Sequence, residues 1–381
     1  GETRAPRVDA RLSANRVDVQ PAAVGAPALP IATPLNLYLA SVALSYRFDL
    51  FGATRSELEG LRSQVDAERF EREAARLMLV GNVVTTAIRE ASLREQIAIA
   101  AEIVALQERR LAIVERLERL GTAAHADVEA QRLELAQTRA LVPELDRQLA
   151  QVRHRLAAYV GAPPATAELP ELRLADLQLP AELPLTLPSE LARQRPDIRA
   201  SEALVERAAA NVGVATANQY PQLTVSATLG SLTTQPGDLF GAGTAFSLLG
   251  ASLTQPLFRG GALQAEQRAA VAAYEQSVAA YREVVLRGLQ DVADVLRALE
   301  SDAAKLAERA RAADAARSQH AIAAARFEAG GVSQVALLDV ERRLRSALLD
   351  RTQAVADRYA DSAALLQALG GGWWNHAPPA R

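Results

Sequence analysis

The chain has 381 residues and a formal net charge of −3; 49% of its residues are hydrophobic, only 4% are aromatic, and none is cysteine. That balance gives no electrostatic reason to expect a nucleic-acid partner and excludes disulfides, thiolate nucleophiles and thiolate metal sites. An alanine-rich, aromatic-poor composition suits long packed helices better than an α/β enzyme core, and no apolar run approaches the ~18 residues of a membrane-spanning helix.

The first segment, residues 7–51, reads as strands split by a loop around "PAAVGAPALP". In "NLYLASVALSYRFDLF" (36–51), Tyr38, Ala40, Val42, Leu44, Tyr46, Phe48 and Leu50 share one face, and Ser41, Ala43, Ser45, Arg47 and Asp49 the other. Residues 8–14 alternate more weakly. A helical pattern then runs from Arg55 to Leu120, roughly 98 Å at 1.5 Å per residue. After a break at "LGTA" (120–123), a shorter helix reaches Val160. Its positions 128, 135, 142, 149 and 156 (Val, Leu, Val, Leu, Leu) and 131, 138, 145, 152 and 159 (Gln, Thr, Leu, Val, Tyr) form a heptad seam, the pattern of an antiparallel coiled-coil hairpin. Pro143 lies off that seam and predicts a local kink.

Residues 161–188 are too proline-rich for a helix. Ser189 is placed to cap a helix reaching Gln219. "YPQLTVSATLGS" (220–231) then alternates: Leu223, Val225, Ala227 and Leu229 on one face, Thr224, Ser226, Thr228 and Gly230 on the other. A further strand, 245–257, turns Leu249, Ala251, Leu253 and Leu257 to the apolar side. A second long helix runs from Leu263 to Ala329, breaks at "AGGVS", and returns as a shorter helix to Leu369.

This order contains a repeat. "LFG" (50–52) and "LFRGG" (257–261) both end a strand and start a long helix. Gly121 and Gly330 mark equivalent turns, as do Gly161 and Gly370, each pair 209 residues apart. The domain reading is therefore a first repeat over 1–160 (strands 7–51, helical hairpin 55–160, its opening helix missing), a linker over 161–188, a second repeat over 189–372 (helix 189–219, strands 222–257, hairpin 262–369), and a tail over 373–381. "GETRAPRVDARL" does not read as a signal peptide, so the expectation is a chain truncated at its N-terminus.

Nothing points to catalysis. His125, His154, His320 and His376 are scattered, with no zinc-protease helix, serine elbow or phosphate loop. No enzyme, cofactor or metal site is expected; "GGG" at 370–372 ends a helix instead of opening one. The strands alone leave two architectures open. A small soluble sheet would bury its apolar face, whereas a membrane barrel would turn that face to lipid. From Tyr38 to Phe48 is roughly 33 Å along a strand, or about 25 Å high when tilted by ~40°.

"LPSELARQRPDIRASEALVERAAANVGVATANQYPQLTVSA" (187–227) resembles a hallmark of the TolC-like outer-membrane factors, NodT/OprM branch, and "SYRFDLFG", "SLTQPLFRGG" and "ALGGGWW" resemble the same family at matching intervals. The resemblance implies a mainly α fold with membrane β: a homotrimer in which each copy gives four strands to a shared β-barrel in the outer membrane, continued by a coiled-coil helical barrel across the periplasm. It implies an exit duct working with a periplasmic adaptor and an inner-membrane pump, and an acylated cysteine in the full-length protein. The lipid-facing band would comprise Tyr38, Val42, Leu44, Tyr46, Phe48, Leu223, Val225, Leu229, Leu249 and Leu253. The hairpin tips, Gly121, Thr122, Gly330, Gly331, Val332 and Ser333, would meet the adaptor. Val335, Asp339 and Arg342, at i, i+4 and i+7 on one helix face, would form a periplasmic gate; their counterparts in the first repeat are Ala126, Ala130 and Leu133, without charge. The other reading is a soluble periplasmic coiled-coil scaffold or adaptor. Cargo is not legible in either.

Overall fold

The computed structural model describes residues 5–18, 34–178 and 194–371. The Ser189 cap, the prolines at 180, 184 and 188, and Trp373 and Trp374 lie outside the described residues. The elements are β1 (Arg7–Val17), β2 (Leu35–Phe48), α1 (Ala53–Arg119), α2 (His125–Tyr159), α3 (Pro196–Ala217), β3 (Gln222–Thr233), β4 (Ala245–Thr254), α4 (Ala262–Glu328) and α5 (Gln334–Ala368). Single 3-10 turns occupy Leu174–Asp176 and Pro236–Asp238. The chain divides into two compact units, one formed by residues 1–69 and 200–282, the other by 70–199 and 283–381.

The first unit holds one antiparallel sheet of four strands in the order β1-β2-β3-β4. Its register puts Leu44 opposite Val8 and Ala227, Tyr46 opposite Val225, and Phe48 opposite Leu223. Ala227 in turn faces Leu249, Val225 faces Ala251 and Leu223 faces Leu253. Directly paired residues share a face, so the apolar sets of all four strands form one continuous surface. Ser45, Ser226 and Gly250 line up on the opposite face. β4 ends at Thr254, so Leu257, read from the sequence as part of that strand, lies beyond it and is 92% exposed. The connection into α1 is fixed locally: the Asp49 carboxylate accepts from the backbone N–H of Thr54 at 3.1 Å and of Arg55 at 2.8 Å, capping donors that the first helical turn leaves unpaired.

The second unit is helical. Every seam position of α2 from Val128 to Tyr159 is buried or half-buried, and α2 continues through Pro143. Glu90 of α1 is 0% exposed and is compensated by Arg94 at 3.0 Å and Arg153 of α2 at 2.7 Å, as a buried carboxylate requires. Ile88, Ala91 and Ala356 pack with Leu174 of the linker turn, and the Tyr359 hydroxyl donates to the Leu177 carbonyl at 2.7 Å, tying the linker to α1 and α5. Leu299, Leu365 and Leu369 form a second cluster with Val292, Val295 and Leu296 between α4 and α5.

"RQRPDIR" also has a structural role here. Arg195, 12% exposed, meets Asp197 at 2.8 Å and Asp291 of α4 at 3.1 Å, and donates to the Ala368 carbonyl at the end of α5 at 3.2 Å. Pro196 opens α3, where its missing N–H costs nothing.

Candidate functional site: hairpin ends, gate residues and sheet face

α1 and α4 each span 67 residues, and α2 and α5 each span 35. Both long helices end in the same backbone arrangement. Gly121 has φ 73°, its N–H donates to the Glu118 carbonyl at 2.8 Å, and the Thr122 N–H donates to the Leu117 carbonyl at 2.9 Å. Gly330 has φ 72°, and here Gly330 N–H donates to Phe327 and Gly331 N–H to Arg326, at 2.9 and 2.7 Å. These are Schellman closures, whose left-handed residue strongly favours glycine. The Thr122 hydroxyl also donates to Leu117 O at 3.0 Å, and Ser333 caps α5 by accepting from Ala336 N–H at 3.2 Å. A Cβ at Gly121 or Gly330 would meet nothing within 4 Å, so both tips are open surfaces. Val332 beside the second tip is half-buried.

The three residues expected at a gate, Val335, Asp339 and Arg342, lie on the first three turns of α5, and two of them pair with charged residues of other helices. Asp339 accepts from Arg343 at 2.9 Å and lies 3.3 Å from both Arg342 and Arg110 of α1. Arg342 lies 3.3 Å from Glu134 of α2, and Arg110 lies 3.6 Å from the same carboxylate. Asp339 and Arg342 are 23% and 28% exposed, so the cluster is partly desolvated and stronger than a surface pair. Asp339 is its hub, with three guanidinium groups on one carboxylate. Val335 is half-buried one turn earlier. In the sequence Arg110, Glu134 and Arg343 each look like one charge among many on a solvated helix. The available signal was Glu134, directly after Leu133, the first-repeat counterpart of Arg342.

On the sheet, Leu229, Leu249 and Leu253 are 66%, 79% and 66% exposed, and Val42, Leu44 and Phe48 are 38–48% exposed. Leu223, Val225, Tyr38 and Tyr46 are half-buried on the same face, and Tyr46 meets Phe48 edge-on at 4.8 Å. Strands β1 and β4 have open outer edges. The hydrogen-bonding groups of those edges and a wide apolar face are thus presented together. His125 Nδ1 pairs with Glu118 at 2.7 Å beside the first tip. Among the described residues, no group of three His, Asp or Glu side chains is placed to hold a metal, and no helix is long and apolar enough to cross a membrane.

Residues 3–162 and 187–371 match the model of the family described as Outer membrane efflux protein. The chain is 30% identical over 339 residues to the pyoverdine export outer membrane protein OpmQ of Pseudomonas putida, covering 89% of this chain and 72% of that relative. It is 28% identical over 342 residues to the toluene efflux pump outer membrane protein TtgC of Pseudomonas putida, covering 88% of this chain and 70% of that one. In three dimensions it resembles the open state of the MtrE outer membrane channel of Neisseria gonorrhoeae, with a TM-score of 0.83, 27% identity, and coverage of 97% of this chain and 81% of that one. These likenesses decide between duct and soluble scaffold in favour of the duct.

Proposed function

The chain belongs to the outer membrane efflux protein family, and from that premise we propose that three copies stand side by side so that their sheets close one barrel in the outer membrane. The protein is an outer-membrane efflux channel; the trimer is our reading of how the channel is built. The observation that carries it is the pairing of two open strand edges with a continuous apolar face. In hydrocarbon each unpaired backbone group costs several kcal/mol, so a lipid-facing sheet cannot keep open edges. Joining β4 of one copy to β1 of the next removes them all. The band from Tyr38 to Phe48 then faces lipid together with Leu223, Val225, Leu229, Leu249 and Leu253.

The helical hairpins line the periplasmic part of the duct in this reading. Their tips, at Gly121 and Thr122 and at Gly330 to Ser333, receive an adaptor that couples the duct to an inner-membrane pump. Val335 and the Asp339 cluster form the gate. The equal helix lengths, and left-handed glycines at Gly52 and Gly261, Gly121 and Gly330, and Gly161 and Gly370, support an origin of the two halves by duplication. Cargo passes passively, the pump supplying the work.

Because the chain contains no cysteine, the trimer is tested directly by cross-linking. Leu12→Cys on β1 is combined with a single cysteine at 247, 249, 251 or 253 on β4. Oxidation in membranes should give dimers and closed trimers at one register and little at the others. Only intrachain products, from a protein extracted without detergent, would overturn the shared barrel.

A further inference from the structure

The sheet face opposite the apolar one carries an excess of positive charge. On it Arg7 pairs with Ser45, Asp9 with Ala43 and Arg11 with Ser41. Arg47 shares that face, opposite Thr224. Neither β3 nor β4 contains a charged residue. Three arginines therefore stand against one aspartate there, although the chain as a whole has a net charge of −3.

Two of these arginines share a cavity of about 330 Å³. Its walls include Arg7 of β1, Ser45 and Arg47 of β2, Thr224 of β3, and Thr54 and Glu57 from the first turns of α1. Arg7 lies beside Ser45, and Arg47 follows two residues along β2 on the same face, so the two side chains reach one space from adjacent strands. Among the described residues, no carboxylate lies within 4.0 Å of either guanidinium. Asp49 already accepts from the backbone N–H groups of Thr54 and Arg55. Glu57 stands in the wall but pairs with neither arginine. The cavity thus gathers two guanidinium groups that have no ion-pair partner among the described residues, three hydroxyls and a single carboxylate.

We infer that this cavity is a binding site for an oxyanion: a phosphate, sulfonate or carboxylate group, free or borne by a larger molecule. Guanidinium forks match the oxygens of such groups in both charge and geometry, and the hydroxyls supply further donors. Two like charges facing one cavity repel each other, and a bound anion relieves that repulsion. Glu57 opposes the anion and limits its affinity, which suits a contact that passing cargo has to leave again. In the barrel reading this face lines the water-filled interior, so three such sites ring its wall and the duct favours anions over cations. That use of the site rests on the barrel reading; binding itself does not.

The test titrates inorganic phosphate into the full chain in detergent at fixed ionic strength, with binding read from phosphorus NMR line broadening. Arg7→Gln and Arg47→Gln should each weaken binding about tenfold, the loss of one charge-assisted contact, and Glu57→Gln should tighten it. Arg11→Gln removes the same charge from the same face outside the cavity and should leave binding near that of the parent. No binding by the parent overturns the site. So does a loss in Arg11→Gln equal to that in Arg47→Gln, which would mean only a diffuse positive wall. A parallel titration with phenyl phosphate separates the two sources of the group: tighter binding assigns the head of a larger anion, equal binding the free ion, and either supports the site. Its place in the duct is read separately in a planar bilayer. Under a potassium chloride gradient the reversal potential should favour chloride, and added phosphate should reduce the current of the parent but not of Arg47→Gln. Phosphate bound as expected in detergent yet without effect on the current overturns the barrel interior as its location and leaves the site standing.

Discussion

Asp339 on α5 and Arg110 on α1 meet at 3.3 Å with their side chains 23% and 25% exposed. The proposed gate is thus tied within one copy to the other helical hairpin, through Arg110 and through Glu134. A ring built only from contacts between copies could open without disturbing either hairpin. Here the second hairpin cannot swing away from the first without breaking this cluster, so opening has an internal cost as well as an intersubunit one. Exposed pairs are worth up to ~1 kcal/mol each and partly desolvated ones somewhat more. A total of a few kcal/mol suits a gate that is shut at rest and opened when a partner binds.

The first prediction concerns that hub. Asp339→Ala leaves three guanidiniums with Glu134 as their only remaining carboxylate in the cluster, whereas Arg342→Ala leaves Asp339 still paired with Arg110 and Arg343. Single-channel conductance in a planar bilayer should therefore rise more for Asp339→Ala than for Arg342→Ala, and most for the pair combined with Val335→Ala. Arg110→Ala should act in the same direction, and a double-mutant cycle between Arg110 and Asp339 should give a coupling of about 1 kcal/mol. Wild-type conductance from intact double-mutant trimers would reduce these residues to surface charges on a coiled coil.

Val225 sits opposite Tyr46 and Ala251 on the apolar face, whereas Ser226 sits opposite Ser45 and Gly250 on the other. Arginine facing lipid costs about 2–4 kcal/mol at mid-membrane and less toward the rims, and three copies each carry the substitution. Val225→Arg should therefore lower the yield of membrane-inserted, heat-modifiable trimer severely, and Ser226→Arg should leave it near that of the parent. The same tolerance at both positions, measured in washed outer membranes, would remove the lipid-facing assignment.

Much of this fold is legible in the sequence because two strong periodicities carry it. Alternation in "LTVSATLG" sets which residues share a face, and a one-residue slip would put every leucine on the wrong side. The glycines at 121, 161, 330 and 370 mark helix ends because a left-handed closing residue has few other solutions. What the sequence hides depends on packing between helices or strands. Nothing around Arg110 marks it as a partner of α5, and Glu134 is marked only by its place beside Leu133, since the pairing exists only once three helices meet. The facing of the first residues of β2 is hidden for another reason. In "LNLYLAS" (35–41) leucines occupy one face and Tyr38 and Ala40 the other, so the stretch reads as apolar on both sides. Only the register against β1 and β3 shows which leucines leave the lipid side.

At the tips, the closure explains the glycines locally, and its cost can be separated from function. Any L-residue at φ near 73° is strained by about 1–2 kcal/mol, but the space around both glycines is open. Gly121→Ala and Gly330→Ala should each lower thermal stability modestly and keep trimers in the membrane. Gly121→Trp and Gly330→Trp add bulk without adding much strain, so stability should match the alanine variants while efflux is lost. Efflux by the tryptophan variants equal to that by the alanine variants would show that the tips are only turns.

Arg195 links the start of α3 to α4 and to the C-terminal end of α5. Burial by itself works against its charge, but Asp197 and Asp291 outweigh burial and raise its pKa above the ordinary arginine value. Arg195→Met keeps the aliphatic stem but leaves two carboxylates and the Ala368 carbonyl without their donor. With both carboxylates partly in water, the cost should be about 2–3 kcal/mol, read as a lower denaturation midpoint in detergent. Arg195→Lys should recover less than half, because one ammonium cannot match a guanidinium that spans three acceptors. Full stability in the methionine variant would mean that these contacts are incidental to the fold.

The last prediction is a pH dependence with an unusual sign. Asp361 on α5 is shifted above the ordinary carboxylate value of 3.8, first by desolvation, then by a hydrogen bond to Asp302 of α4 and by the charges of Asp302 and Asp357. Arg358 pulls the other way, and Lys305 is engaged by Asp357 at 2.6 Å. A carboxyl whose folded pKa is raised binds its proton more tightly folded than unfolded. Its stabilising share is therefore fully present below the unfolded value, near 3.8, and is lost as pH rises through the higher folded value. This is the reverse of a salt-bridged aspartate. Asp361→Asn, which can still donate a hydrogen bond to Asp302 and removes the charge, should raise the melting temperature at pH 7. The advantage should shrink toward zero as pH falls below 4, where the native side chain is already neutral. Melting curves of the two proteins in the same detergent between pH 3.5 and 8 decide the matter. An advantage that stays constant across that range would show that burial and Asp302 do not raise the pKa of Asp361, and one that grows toward acid would reverse the assignment of which state binds the proton.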